Sequence, residues 1–416
     1  MDAYFECLLE KELIPAMGCT EPIAIAYAGA KARQVLNQVP DRITVKCSGN
    51  IIKNVKGVVV PSTPNMRGIE ASAILGVLAG NADKKLEVLE DIDKSCIDKM
   101  IALKNAGYCK VELAKDVDTL YIDLLAFAGD DSSEVVISNS HTNIVKLLKN
   151  ESVIFEKEVE DEKRADMKNL SLGSIYDYAK HGNIDRLKPL LDLQMKYNVG
   201  IAEEGLSKPY GANVGKTVLK QDSRDISVIA RAFASAGSDA RMAGCELPVV
   251  INSGSGNQGI TVSVPVVAYA EHLSVSREKL YRALILSNLV AIYIKMGIGK
   301  LSAYCGVVGA ACGAGAGIGF LHDDSFAVIS KTISNTLGNV SGIICDGAKA
   351  SCAAKIASSL DAAIMARNLA VEGNVFQDGE GIVKADAEDT IKNIWKLGKD
   401  GMKETDIEIL NMMLSN

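Results

Sequence analysis

Apolar positions recur at helical spacing over residues 24–36 and 68–78, the first of these runs rich in alanine. Between and after them, residues 43–47, 110–113, 119–124 and 134–138 carry the short, β-branched pattern of strands. This mixed text predicts an α+β domain over residues 1–165. From 156 to 168, ten of thirteen residues are charged, which excludes that stretch from any core. It reads as a solvated linker or the end of a surface strand. Beyond it the pattern changes. Residues 175–197, 225–242, 277–296, 326–337, 348–368 and 386–397 all carry helical apolar spacing, with glycine-rich joints at 253–259, 306–319 and 338–347. Ile260-Thr261-Val262-Ser263-Val264-Pro265, which follows the first joint, is rich in β-branched residues and ends in proline, poor material for a helix. The expected fold is therefore an α+β N-terminal domain followed by a mostly α-helical, glycine-rich domain over 166–416. No 20–50-residue repeat is present.

Composition narrows the function classes. The 416 residues include 45 Lys and Arg against 52 Asp and Glu, a net charge of −7. With a pI near 5.4 and no basic run, neither nucleic acid nor an anionic membrane is an expected partner. Apolar residues at 48% and charged residues at 23% are those of a globular chain. Aromatics reach only 5%, while 36 glycines imply close backbone packing. Residues 301–321 are uncharged and long enough to span a bilayer, but six glycines fall among them. A buried glycine-rich helix is the better reading. The N-terminal residues show no secretory pattern, so the expected location is the cytoplasm. There the ten cysteines serve as core thiols, catalytic thiols or metal ligands rather than as disulfides.

Three constellations carry candidate chemistry. In Gly18-Cys19-Thr20-Glu21-Pro22, Pro22 marks a helix start and puts Cys19 just outside its N-terminus. The partial positive charge there favours a thiolate, able to act as base or nucleophile. The alternative is a small buried cysteine. Cys305, Cys312, Cys345 and Cys352 lie among glycines and small residues, which suits an iron–sulfur site and equally suits a tight core. Seven helical residues span about 10.5 Å. A turn at Asp346-Gly347 is thus needed to bring Cys345 and Cys352 together, and a helical 305–312 would leave Cys312 in the core. Asn252-Ser253-Gly254-Ser255-Gly256-Asn257-Gln258-Gly259 satisfies G-x-G-x-x-G, without a βαβ unit around it. Its Ser253, Ser255 and Asn257 would suit a small carboxylate; a pyridoxal-phosphate loop served by Lys216 or Lys220, or a plain turn between helices, are the other readings. His141, after the strand at 134–138, is a further candidate substrate contact.

Taken together, these motifs resemble the L-cysteine desulfidase family, within the iron–sulfur L-serine dehydratase superfamily. The likeness rests on 18–24, on 252–259 and on the cysteines at 305, 345 and 352, and runs over nearly the whole chain. It implies a [4Fe–4S] cluster held by Cys305, Cys345 and Cys352, with Cys19 as the proton acceptor. The implied reaction releases sulfide, ammonia and pyruvate from L-cysteine, and the expected assembly is a homodimer acting on a small amino-acid substrate. Serine-specific members carry a Ser/His motif where this chain has Gly-Cys-Thr-Glu-Pro, and space their last two cluster cysteines more widely. An L-serine dehydratase, a pyridoxal-phosphate lyase and an iron–sulfur redox sensor are the competing readings.

Overall fold

The computed structural model describes residues 2–61, 63, 65–90, 92–157 and 170–415. Most of the charged run at 156–168 lies outside the described residues; its first member, Glu156, closes a strand.

The N-terminal part is a six-stranded sheet backed by helices. Strands β2 (Arg42–Cys47), β3 (Cys109–Leu113), β4 (Tyr121–Ala128), β5 (Asp131–Ser138), β6 (Ile144–Lys149) and β7 (Ser152–Glu156) lie in the order β3-β2-β4-β5-β6-β7. Only the β2–β3 pair is parallel. In β2 the inward positions Ile43, Val45 and Cys47 alternate with outward ones, the period of a half-buried strand. Helix α2 (Thr20–Leu36) packs on β4 and β5 and against α4 (Ile69–Ala79). Helices α1 (Asp2–Glu12), α3 (Gly49–Lys56) and α5 (Lys94–Asn105) complete this part. With β6 and β7, these three are elements that the apolar pattern alone had not revealed.

The rest is helical: α6 (Leu172–His181), α7 (Lys188–Ser207), α8 (Val214–Leu219), α9 (Ile226–Met242), α10 (Gly256–His272), α11 (Arg277–Ile298), α12 (Gly306–Leu321), α13 (Phe326–Val340), α14 (Ser351–Val371), α15 (Ala387–Lys396) and α16 (Lys403–Leu414). The expected α+β then helical architecture is what the chain adopts. Helix α12 is the hub, packed on α10, α11, α13 and α14. A Cβ added at Gly313 would stand 2.2 Å from the Ser287 carbonyl oxygen, so glycine is what lets α12 approach α11. The uncharged stretch 301–321 is thus a buried helix and its lead-in. Helix α11 is long and apolar enough to cross a bilayer, but most of it is buried inside the protein.

Two expectations are corrected. The stretch 260–265 is helical within α10, Pro265 included, because full burial among α7, α9, α11 and α12 outweighs the poor propensity of its β-branched residues. The single helix expected at 175–197 is two. Helix α6 ends at Gly182, a 3₁₀ turn follows at Asp185–Leu187, and α7 restarts with Pro189 in its first turn.

The two parts are stitched at several points. Strand β1 (Pro15–Met17) pairs antiparallel with β8 (Pro248–Val250), placing residues 18–19 beside the loop 251–255. Helix α16 returns to pack on α3, where Asp406 accepts from Asn50 Nδ2 at 2.6 Å and pairs with the buried Lys53 ammonium.

Candidate active site

The site lies where helix N-termini from both parts meet. Cys19 is the N-cap of α2, as expected, with extended backbone at φ −85°. Gly18 before it has φ +60°, and any Cβ there would strike Pro61. Cys19 packs with Val58 and Met242 against Ala348 and Cys352. Cys352 is the second residue of α14, and its thiol donates weakly to the Gly347 carbonyl at 3.8 Å. Cys305 is the N-cap of α12. A β-bridge between Tyr304 and Ile344 aligns the next residues: Cys305 N donates to Ile343 O at 3.2 Å and Cys345 N to Ala303 O at 2.6 Å. The turn expected between Cys345 and Cys352 is present, with Gly347 at φ +97° pressed against the Lys53 carbonyl. Lys53 Nζ in turn donates to Cys345 O at 3.1 Å, tying the turn to α3. Cys312 lies buried in α12, beside Thr336 rather than at this junction.

The electrostatics of the junction are set by burial. It pushes the Cys19 thiol up to about 12; Arg241 opposes the rise, while Glu21 and Cys352 add to it. Burial thus works against the thiolate expected from the helix dipole, and Arg241 is the group that works for it. Burial likewise raises Cys305, where Cys345 and Cys352 add to it, and Cys352. The mutual influence of these three thiols places them in one electrostatic neighbourhood. Cations surround it. Buried Lys295 is lowered to about 8 by desolvation, with Cys345 and Cys305 pulling the other way. Lys355 donates to Ile344 O at 2.9 Å and pairs with Asp346, as does Lys349. Arg241 donates through Nε to Gly18 O at 3.1 Å and through Nη1 to Asn257 Oδ1 at 3.2 Å, joining the Cys19 motif to the Ser-Gly-Asn loop.

That loop leads from β8 into α10. Ser255 is the helix N-cap and accepts from Gln258 N; Ser253 sits at φ +50° and donates to Asn252 Oδ1 at 2.9 Å. Thr20 Oγ1 donates to Gly254 O at 2.9 Å, and the His141 imidazole from the β5–β6 turn closes against Gly254. Gln258 lies against Gly306, so α10 and α12 begin side by side. His141 Nε2, Gln258 Oε1 and Asn54 Oδ1 are buried with no hydrogen-bond partner among the described residues. Such atoms are costly unless a ligand completes them. The loop of Ser253, Ser255 and Asn257, with His141 against it, is thus tied to the Cys19 motif through Arg241 and Thr20, whereas Lys216 donates to Ser207 O and Lys220 is exposed. Glu21 was named only as part of its motif, and Arg241, Lys53, Lys295 and Lys355 were not singled out from sequence. Their one signal is a charge within stretches rich in alanine, glycine or apolar residues.

Among the described residues no three His, Cys, Asp or Glu side chains converge on a single-ion site. A four-iron cluster is larger than one ion and takes each thiolate on a different iron, so it asks for thiols grouped but not convergent. Cys305, Cys345 and Cys352, beside two helix N-termini and flanked by cations, have that chemistry and fit such a group.

The family model of the serine dehydratase alpha chain matches residues 83–411. The chain belongs to the serine dehydratase alpha chain family. The matched region contains the three grouped cysteines, Arg241 and the 252–259 loop; Cys19 and Glu21 precede it. Along its whole length the chain is also similar to the UPF0597 protein of Lachnoclostridium phytofermentans, 51% identical over 98% of both chains. The UPF0597 protein of Desulfitobacterium hafniense is 48% identical over 100% of this chain and 98% of its own, and that of Treponema denticola 46% identical over 98% and 97%. As a member of this family the protein has a lyase-type scaffold, and Cys19 lies outside the matched region.

Proposed function

We propose that the protein is an L-cysteine desulfidase, eliminating sulfide from L-cysteine to give pyruvate and ammonia. Cys305, Cys345 and Cys352 would hold a [4Fe–4S] cluster, and Cys19 would be the base. The observation that carries this reading is the small cluster of Cys19, Val58 and Met242, against which Cys352 packs. Cys352 acts electrostatically on Cys19 there, so that a thiol outside the ligand trio shares its surroundings. When bound, a cluster with three protein ligands supplies a Lewis-acidic iron.

The chain's own residues account for the proton. Cys19, once ionised, takes the α-proton; the C–H electron pair forms the Cα–Cβ double bond as the Cβ–S bond breaks and sulfide leaves. The enamine released is hydrolysed to pyruvate and ammonia. Arg241 is the residue that favours ionisation of Cys19. Ser253, Ser255, Asn257 and His141 would bound the substrate, and the enclosure of the junction keeps competing water out. A second reading, L-serine dehydration at the same residues, is favoured by the family match. Anaerobic reconstitution with iron and sulfide, followed by parallel assays of pyruvate from L-cysteine and L-serine, decides between them. Higher kcat/KM for L-cysteine, with one sulfide per pyruvate, is the expected result; preference for L-serine moves the assignment to dehydratase.

A further inference from the structure

Two charges at the junction have no ionic partner. Arg241 is 3% exposed, and both of its acceptors, Gly18 O and Asn257 Oδ1, are neutral. Glu21, half-buried at the start of α2, accepts from Thr20 Oγ1 at 3.0 Å and Asn54 Nδ2 at 2.9 Å, again neutral groups. Neither residue forms an ion pair among the described residues, with each other or with any third group. Yet both act on Cys19, with opposite signs, and both act on His141. Opposite charges in a water-poor space attract strongly, and a buried charge without a counter-charge is costly. Here the backbone at Gly18 and the side chains of Thr20, Asn54 and Asn257 hold the two poles apart. Unpartnered polar atoms belong to their neighbours: Oδ1 of Asn54, which donates to Glu21, Nε2 of His141, which lies against Gly254, and Oε1 of Gln258, next in sequence to the Asn257 that Arg241 holds.

We propose that Glu21 and Arg241 are the two poles of a zwitterion receptor, Arg241 taking the α-carboxylate of an amino acid and Glu21 its α-ammonium. The Cα between those groups is then delivered to Cys19, the residue that both poles flank. This rests on the amino-acid elimination proposed above and specifies how that substrate is recognised. Recognition through the zwitterion alone is independent of the leaving group, so an amino acid that cannot react is bound as well. Guanidinium suits the carboxylate because its fork can keep Gly18 and Asn257 and still offer a further N–H.

The test uses the full-length chain, reconstituted anaerobically and also without iron, titrated calorimetrically with three probes. L-alanine keeps both charges, propionate lacks the ammonium and L-alaninamide lacks the carboxylate. Wild type is expected to bind L-alanine about tenfold or more tightly than either analogue, since each lost partner is a charged hydrogen bond. E21Q closes the gap to propionate and leaves the gap to L-alaninamide; R241Q does the reverse. Should R241Q fail to fold, R241K, which keeps a charge without the fork, narrows the L-alaninamide gap. Variants that weaken all three probes by one factor, or a wild type that does not prefer L-alanine, overturn the receptor. If the preferences hold but L-cysteine yields no pyruvate, the elimination reading fails and the receptor stands. If pyruvate forms while neither variant alters the preferences, the receptor fails alone.

Discussion

The surroundings of Cys312 and of Cys19 are both buried, and they are built on opposite principles. Around Cys312, polar groups are spent on one another. Ser287 Oγ donates to Val262 O at 2.7 Å and Thr336 Oγ1 to Thr332 O at 2.7 Å. Around Cys19, a guanidinium and a carboxylate lack ionic partners and three amide or imidazole atoms lack any. A core gains nothing from such groups, because each unmet polar atom costs about 1–3 kcal/mol. The difference teaches that burial alone does not mark a cysteine as functional; what its neighbours leave unsatisfied does.

The largest expected effect breaks the comparison at the thiols themselves. Single Ser replacements at Cys305, Cys345 or Cys352 should abolish iron uptake, whereas the Ser variant at Cys312 should keep it. Iron per chain and the visible spectrum after anaerobic reconstitution check this. Retention of iron without Cys305, together with its loss without Cys312, would reverse the roles of the two regions.

Next in size is a test of the packed region. In Gly313→Ala, helix propensity gains about 1 kcal/mol, but the new methyl meets the Ser287 carbonyl, which no rotamer change relieves. Overpacking of this kind costs about 1–3 kcal/mol. Urea unfolding should show a net loss, with iron uptake per folded chain unchanged. A related expectation concerns the chain without iron. Its core runs continuously through both parts, so it should still unfold cooperatively. Calorimetry showing no transition in the iron-free form would make the cluster structural.

The smallest effect is a pH dependence. Burial holds the His141 pKa below its ordinary value near 6.5, with Lys300 and Arg241 acting in the same direction and Glu21 and Glu12 against it. The unfolded chain therefore binds this proton first as pH falls. Stability from His141 is fully present above about pH 6.5 and is lost progressively below it. In H141Q that contribution disappears, so the stability gap between wild type and variant should narrow from pH 7.5 to pH 5. A constant gap would show that His141 does not titrate against the fold.

Much of the fold was legible because local signals agreed with the tertiary outcome. Asp225 caps α9 where the apolar run begins, and β2 carries its alternation openly. The grouping of Cys345 with Cys352 was legible through Asp346-Gly347, since the helix rise demands a turn there. Residues 260–265 misled because their propensity is overridden by burial. The state of Cys19 was legible only in part: its N-cap position follows from Pro22, but its enclosure by Val58, Met242 and Ala348 comes from distant segments. Arg241 was hidden for a related reason. Its helical spacing says nothing of a partner's absence, which is a property of the assembled junction.

The central claim is that Cys19 serves the chemistry while the three later cysteines hold the group it works beside. Cys19→Ser tests it most directly, with iron content and pyruvate release from L-cysteine measured on one preparation. The account predicts unchanged iron and a fall in turnover of about 10²–10⁴-fold, the range for loss of a general base. Near-normal turnover, or loss of iron along with activity, would contradict it.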